Sequence, residues 1–183
     1  MNIISTAIQG LQIVETMPFI DTRGTFARLY CNQELQSLIG GYEIVQINHS
    51  RTAKVGAVRG LHFQYPPHAE IKMVRCLKGR VWDVAVDIRK GSETYLRWHA
   101  EELTPANGKM MVIPKGFSHG FQVLEPESEL LYFHTSFYNP EAEGALRYND
   151  PSIGINWPLP ATDVSVRDQQ HPLINQDFIG ISL

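Results

Sequence analysis

The feature that most constrains the fold is a series of short β-type segments between residues 43 and 137. The segments are apolar or alternate between apolar and polar residues, and clusters of Gly, Pro, Asn and Glu separate them. They cover residues 44–50, 58–64, 71–77, 80–88, 95–103, 109–113, 117–124 and 130–137. Many short strands at nearly regular spacing are typical of a β-sandwich or barrel. We therefore predict an all-β fold.

One short helix and an ordered tail are expected outside this region. Residues 3–20 predict one or two strands, residues 21–24 a turn and residues 26–31 another strand. Residues 32–39 predict the helix, with Asn32 as its N-cap and Gly40-Gly41 as its end. Beyond residue 151 the chain is rich in Pro and Asp but keeps regularly placed apolar residues. We interpret this tail as an ordered C-terminal strap lying over the barrel.

Length and composition exclude several classes of protein. The 183 residues suit a single domain spanning 1–183, and a hydrophobic content of 43% supports a sizeable core. A net charge of -3 argues against nucleic acid as the main partner. Neither a signal peptide nor an apolar run long enough to span a membrane is visible. Cys31 and Cys76 show no metal-type spacing, so we expect free thiols in a reducing cytoplasm.

Two spacings resemble the paired motifs of a cupin, the small jelly-roll barrel. The first runs from Gly56 through His62 to Gly79, and the second follows Gly108. Its later positions are Pro114, Gly116 and His119. The two motifs in this order, within an all-β chain, predict a cupin-type jelly-roll β-barrel.

A bound metal is not expected in these motifs. Cupins often use two histidines and a glutamate of the first motif together with the histidine of the second, but Gln64 occupies the second histidine position here. Ligation by His62, Glu70 and His119 would leave the site short of imidazoles. We therefore predict no metal, and a metal-free His62 is available as an acid or base.

Other chemistry-bearing residues fit around such a base. A catalytic histidine needs an orienting carboxylate, and spacing alone leaves Asp83 and Asp168 as alternatives. Tyr132 lies in an apolar strand and is a candidate proton donor, although a tethered core aromatic is the common alternative.

Three cationic side chains are candidates for binding an anion. Lys72, flanked by apolar residues, would stabilise a developing oxyanion if it points into the barrel, and otherwise it is an exposed strand residue. Arg23 and Arg59 adjoin glycines, where backbone can approach a ligand closely. Arginine is well suited to phosphate, while a surface ion pair is the usual alternative.

Five motifs resemble those of the dTDP-4-dehydrorhamnose 3,5-epimerases, and the resemblance runs from about residue 3 to about residue 172. The motifs occupy residues 21–26, 59–64, 83–89, 114–121 and 149–151. The resemblance implies a cupin-type jelly roll, a homodimer and no cofactor. It also implies a dTDP-linked 4-keto-6-deoxy sugar as substrate, in deoxysugar biosynthesis of the dTDP-L-rhamnose type.

The resemblance also implies roles for individual residues. His62 would be the base, held by Asp168, while Tyr132 would be the acid and Lys72 would hold the keto oxygen. Substrate-binding positions fall on Arg23, Phe26, Gln46, Asn48, Arg59, Lys72, His119, Tyr138 and Glu143.

The expected reaction is epimerisation at C3 and C5 through an enolate. Glu70 departs from the family pattern, because many members carry an amide there, and Arg28 occupies a position where a carboxylate is frequent. The alternatives are an epimerase that inverts only C3 or C5 of a related sugar, and a non-catalytic cupin that binds a sugar nucleotide or a metal.

Overall fold

The computed structural model describes residues 1–183 and consists mainly of short β-strands. The first four strands precede the only long helix. They are β1 (Asn2–Ser5), β2 (Gln12–Glu15), β3 (Phe19–Asp21) and β4 (Gly24–Phe26), followed by α1 (Asn32–Ile39). The central strands are β5 (Gln46–Thr52), β6 (Ala57–Gln64), β7 (Lys72–Lys78), β8 (Val81–Asp87), β9 (Trp98–Leu103), β10 (Lys109–Ile113), β11 (Phe117–Val123) and β12 (Ser128–His134). The remainder comprises a 3-10 turn (Pro140–Ala142), β13 (Glu143–Ala145), β14 (Asp163–Val164) and α2 (Val166–Gln170).

Two sheets face each other in a jelly-roll sandwich, which confirms the predicted cupin-type class, although they do not close into one continuous barrel. The first sheet has the order β1-β2-β10-β7-β12-β5, and the second has the order β13-β6-β11-β8-β9 with β14 beside β6. A cluster of 15 buried residues fills the space between them, drawing Val74 and Met111 from the first sheet and Ala85 and Phe121 from the second.

Strand β8 shows why the tail is ordered. Its side chains alternate as predicted, because Val81 and Ala85 enter the core between the sheets while Val84 and Val86 face outward. The outward side chains are nevertheless fully buried. Apolar residues of the C-terminal strap cover them, including Ile153, Ile155, Trp157, Ile174 and Ile181. Burial of an aliphatic side chain stabilises a fold by about 1.5–3 kcal/mol, which explains why a Pro-rich tail stays on the sheet.

The short helix lies on the outer face of the first sheet, where Leu35 and Ile39 are buried. The predicted cap was wrong, because Cys31 is the N-cap residue and makes no side-chain capping bond. The Asn32 side chain instead accepts a hydrogen bond from the Tyr30 hydroxyl. The predicted strand over residues 26–31 was also wrong, since β4 ends at Phe26 and the chain then turns into the helix. Gly40 ends the helix with a φ of 59°, as predicted.

A close approach of β6 and β11 places the two motif histidines side by side. Gly60 has a φ of 110°, and a Cβ atom there would lie 2.6 Å from the Gly120 Cα. Glycine is therefore required for the two strands to meet at this point. Next to it, His62 and His119 are register partners. No helix of this chain is both long enough and apolar enough to cross a membrane.

Candidate active site

A cavity of about 870 Å³ opens between the two sheets and collects most of the predicted site residues. Its walls include all four predicted catalytic side chains, together with Asn48, Arg59 and His119. The catalytic set is His62, Lys72, Tyr132 and Asp168. A smaller pocket of about 130 Å³ shares Asn48, His62 and Lys72 with the cavity and adds Gln46, Tyr138 and Glu143. The structure thus brings together every predicted site residue except Arg23 and Phe26.

The His62–Asp168 pair joins two distant parts of the chain in the cavity wall. His62 Nε2 lies 2.7 Å from Asp168 Oδ1, and the Asp168 side chain is only 6% exposed. The α2 helix holds this carboxylate in place because Ser165 caps the helix by accepting from the Asp168 backbone N–H. Asp83 instead contacts His119 Nε2, at 2.8 Å. Of the two candidate carboxylates, Asp168 is therefore the one that contacts His62.

Electrostatics fix the tautomer of this pair. Burial raises the pKa of Asp168, but its interactions with His62, Ser165 and the Gly60 backbone N–H together outweigh burial, and the net pKa lies below its usual value. An ionised carboxylate can only accept hydrogen bonds, so Nε2 of His62 carries the proton that points at Asp168. The lone pair of Nδ1 is then free, which is the requirement for a general base.

Tyr132 faces the cavity from the opposite sheet. It lies on β12 in the first sheet, whereas His62 lies on β6 in the second. The Tyr132 hydroxyl is 3.1 Å from Ser50 Oγ, and burial raises the pKa of this phenol far above its usual value. The phenol therefore stays protonated at neutral pH, which suits a proton donor on the wall opposite a base.

Lys72 belongs to a series of linked polar side chains that runs from the half-buried Glu70 to the exposed Asn48 and that the sequence did not reveal. Its Nζ lies 3.4 Å from Glu70 Oε1, and Glu70 Oε2 lies 2.7 Å from His134 Nδ1. His134 Nε2 is 3.3 Å from Asn48 Nδ2, and Gln46 Nε2 donates to Asn48 Oδ1. These donors and acceptors agree only if His134 is neutral and carries its proton on Nδ1.

The charge of Glu70 is stabilised within this series. Burial raises its pKa, but its interactions with His134 and Lys72 together outweigh burial, so the pKa is lowered. His134 escaped notice in the sequence, although its position two residues after Tyr132 puts both side chains on the same face of β12. The rings of Tyr132 and His134 stack with centroids 6.2 Å apart.

Besides Lys72, three arginines bring positive charge to the cavity, and the sequence pointed only to Arg59 among them. Arg51 and Arg167 also line the cavity. Arg167 Nη2 contacts Glu143 Oε2 at 2.6 Å, and the Tyr138 hydroxyl donates to the same oxygen. The nearest sequence signal for Arg167 is that it directly precedes Asp168. Together these arginines make the cavity suited to a diphosphate.

Arg23 and Phe26 lie on the β3–β4 hairpin, away from the cavity. The Arg23 side chain is 87% exposed and forms an ion pair with Asp21. Phe26 is 73% exposed and lines a separate groove together with Met17 and Phe19. Within one chain, neither residue reaches the other predicted binding residues.

Comparison with known proteins gives consistent matches over nearly the whole chain. A family model described as dTDP-4-dehydrorhamnose 3,5-epimerase matches residues 5–176. A protein of that name from Salmonella typhimurium is 43% identical over 181 residues, covering 98% of each chain. The crystal structure of a dTDP-6-deoxy-D-glucose-3,5-epimerase from Legionella pneumophila, in complex with dTDP-4-keto-L-rhamnose, superposes with a TM-score of 0.91 at 37% identity. It covers 100% of this chain and 98% of its own. A 3'-monoepimerase from Streptomyces bikiniensis, in complex with dTDP-quinovose, gives a TM-score of 0.86 at 27% identity, covering 93% of this chain and 86% of its own.

Proposed function

This chain belongs to the dTDP-4-dehydrorhamnose 3,5-epimerase family, and from that premise we propose that it inverts C3 and C5 of a dTDP-linked 4-keto-6-deoxyhexose. The observation that carries the assignment of roles is the 2.7 Å contact between His62 and the buried Asp168, with Tyr132 on the opposite wall of the same cavity. A base and an acid on opposite walls can exchange protons with opposite faces of a sugar ring held between them.

The reaction follows from the chemistry of the ketone. The 4-keto group acidifies the C–H bonds at C3 and C5, and His62 Nδ1 removes one of these protons. Asp168 stabilises the imidazolium that forms, and the Lys72 ammonium stabilises the enolate oxygen. Tyr132 then gives a proton to the carbon from the other face. Proton exchange with solvent restores the phenol of Tyr132 and the neutral His62 before the second carbon is inverted. These proton transfers involve no change of oxidation state, so the proposed steps need no cofactor.

Binding of the nucleotide is assigned to the polar rim of the cavity. Arg59 and His119 are proposed to hold the diphosphate region, and Gln46, Asn48, Tyr138 and Glu143 the rest of the nucleotide sugar. His119 is buried, and hydrogen bonds link Gln46, Asn48, Tyr138 and Glu143. Order present before the ligand arrives lowers the entropic cost of binding. Free thiols at Cys31 and Cys76 agree with a chain that works in a reducing cytoplasm.

The β3–β4 hairpin supports a homodimer as the working unit. Met17, Phe19 and Phe26 expose apolar surface beside Arg23, and an exposed apolar patch next to charge is typical of an interface. We propose that Arg23 and Phe26 complete the binding site of a second copy.

Subunit complementation tests this arrangement. Arg23→Ala and His62→Ala are each expected to be inactive or weak as homodimers. After the two are mixed, a hybrid dimer carries one site with both defects and one intact site, so activity returns. Mixed samples that exchange subunits but stay inactive would contradict the proposal.

Proton NMR in D2O tests the activity itself. The protein is mixed with a dTDP-4-keto-6-deoxyhexose, and we expect solvent deuterium at C3 and C5 together with inverted product. Deuterium at one carbon alone would identify a single-centre epimerase, and no exchange at either carbon would exclude the proposed reaction. His62→Ala should abolish exchange while retaining dTDP binding. His99→Ala is the matched control, because His99 lies on β9 outside the cavity.

A further inference from the structure

A second imidazole lies beside the proposed catalytic pair and takes no part in the proposed mechanism. His171 Nε2 is 3.8 Å from Asp168 Oδ1, the oxygen that also contacts His62 Nε2 at 2.7 Å. One ligand atom from each of the three residues lies within 4.8 Å of the other two. Two imidazoles and one carboxylate are a donor set that Zn²⁺ takes in open sites, where three protein ligands leave a fourth position free.

His171 is oriented into this cluster without a hydrogen-bond partner. It follows α2 and stands three residues after Asp168, so about one helical turn brings both side chains to the same side. Its Nε2 is buried and makes no hydrogen bond, and its ring meets that of His62 edge-on at 6.5 Å. Buried ring nitrogens normally have a partner, and an unpaired one calls for a ligand or another explanation.

The dimensions suit a tetrahedral ion after small side-chain rotations. Zinc–ligand bonds of roughly 2.1 Å place neighbouring ligand atoms roughly 3.4 Å apart in a tetrahedron. The His62–Asp168 distance of 2.7 Å therefore has to widen and the His171–Asp168 distance of 3.8 Å has to shorten, each by less than 1 Å. The ligand atoms of His62 and His171 lie within 4.8 Å of each other and have to settle at the same separation. His62 and Asp168 line the cavity, so an ion can enter from it. The nearby cation Arg167 is paired with Glu143, which limits its repulsion of a metal.

We propose that His62, Asp168 and His171 form an inhibitory site for zinc or a similar divalent transition metal. A neutral imidazole carries one proton on its two nitrogens. Without metal that proton is on His62 Nε2 and the Nδ1 lone pair is free. A metal bonded to Nε2 uses the lone pair there, and the proton moves to Nδ1 through solvent. The ring then has no basic nitrogen left for the substrate.

The inhibitory part rests on the proposed role of His62 as the base, whereas metal binding does not. The expected inhibition is therefore selective. Zinc lowers kcat, but affinity for dTDP changes little, because the arginines and amides that hold the nucleotide are not ligands. His62 and Asp168 belong to both the catalytic pair and the metal site. Only a substitution of His171 therefore removes a metal ligand without removing a catalytic residue.

Binding is measured first, on protein stripped with EDTA. Cobalt(II) chloride is expected to give the intense visible bands of a tetrahedral site, and zinc sulfate to bind at one ion per chain by calorimetry. His171→Ala should weaken zinc binding by about tenfold or more. His171→Asn is a second variant of similar size in case the alanine protein folds poorly, and His99→Ala is the control that should bind like the unchanged protein.

Exchange activity is then measured with and without zinc. His171→Ala should keep the metal-free rate and resist zinc, while the unchanged protein and His99→Ala are inhibited. Equal zinc affinity with and without His171, or only the weak bands of octahedral cobalt, would overturn the site. Zinc bound at His171 without loss of exchange would overturn the inhibition. If the metal-free protein shows no deuterium exchange, both the proposed epimerase activity and its inhibition are refuted. The cobalt spectrum would still decide whether the metal site exists.

Discussion

Asp168→Asn tests the proposed catalytic pair with the smallest change of shape. The Asp168 carboxylate uses Oδ1 for His62 Nε2 at 2.7 Å and Oδ2 for the Gly60 backbone N–H at 3.4 Å. Asparagine has only one acceptor oxygen, so it can satisfy only one of these donors. We expect the fold to survive, because the change is isosteric and the helix cap at Ser165 uses backbone N–H of residue 168.

The size of the effect depends on which way the new amide faces. If its oxygen faces His62, the pair loses its charge, and a hydrogen bond to a charged group is worth about 1.5–3 kcal/mol, or roughly 10- to 150-fold in rate. If its nitrogen faces His62, the ring must carry its proton on Nδ1 and cannot act as a base. The corresponding change in a serine-protease triad lowers kcat about 10⁴-fold. We therefore expect kcat to fall by about 10- to 10⁴-fold.

The assay is deuterium exchange at C3 and C5 by proton NMR, with dTDP affinity measured in parallel by calorimetry. Unchanged affinity with a slow exchange rate is the expected pattern. Asp177→Asn, an exposed residue of the same tail, is the control. When Asp168→Asn is added to a His62→Asn protein, kcat should fall little further, because the two residues act as a unit. An Asp168→Asn protein that keeps more than about a tenth of kcat would refute the reasoning.

Three further changes test other parts of the structure. Tyr132→Phe should allow exchange with solvent but slow inversion by about 10²-fold or more, as separate NMR signals for exchanged and inverted sugar would show. Glu70→Gln removes the carboxylate buried beside Lys72, so we expect kcat to fall by about tenfold with a smaller change in KM, measured by steady-state kinetics. Burial raises the pKa of the Cys76 thiol to about 11, so at pH 8 alkylation followed by mass spectrometry should label Cys31 in the folded protein and Cys76 only after unfolding.

Each change has a matched control or a contrary outcome. Tyr95→Phe alters a phenol that bonds the Phe178 carbonyl far from the cavity and should leave inversion unchanged. Glu129→Gln removes a carboxylate that also contacts a histidine and a lysine, but on the surface, and should leave kcat unchanged. Rapid labelling of Cys76 in the folded protein would contradict its burial.

The sequence predicted the parts of the site that depend on strand alternation and on local motifs. The spacing around His62 and His119 indicated two cupin motifs, and their strands turn out to be register partners. The alternation along β8 correctly predicted which side chains share a face, because successive residues of a strand point to opposite sides. Both faces of β8 are buried here. These features are local, so a pattern of a few residues was enough.

Features that depend on distant contacts were out of reach of residue spacing. Asp168 is 106 residues from His62, and only the path of the strap decides that it, and not Asp83, meets that histidine. Glu70 and His134 form a largely buried pair across 64 residues. Each alone is an ordinary polar residue, Glu70 shortly before β7 and His134 at the end of β12. The exposure of Arg23 follows from a hairpin that pairs with no other strand of its own chain.

Asp168 is attached to the sandwich by a short segment, so activity can be lost at a lower temperature than the fold. Its segment joins β6 through only two parallel register pairs, Asp163 with Ala57 and Val164 with Val58, followed by the short α2 helix. Segments with few contacts open locally at a lower free energy than the global unfolding of the core. On warming, the catalytic pair should therefore come apart while the sandwich is still intact. The enzymatic rate near the melting temperature then measures how much of the segment from Asp163 to Gln170 is docked on β6. The midpoint of inactivation should therefore lie at a lower temperature than the midpoint of unfolding measured from the β-strand signal.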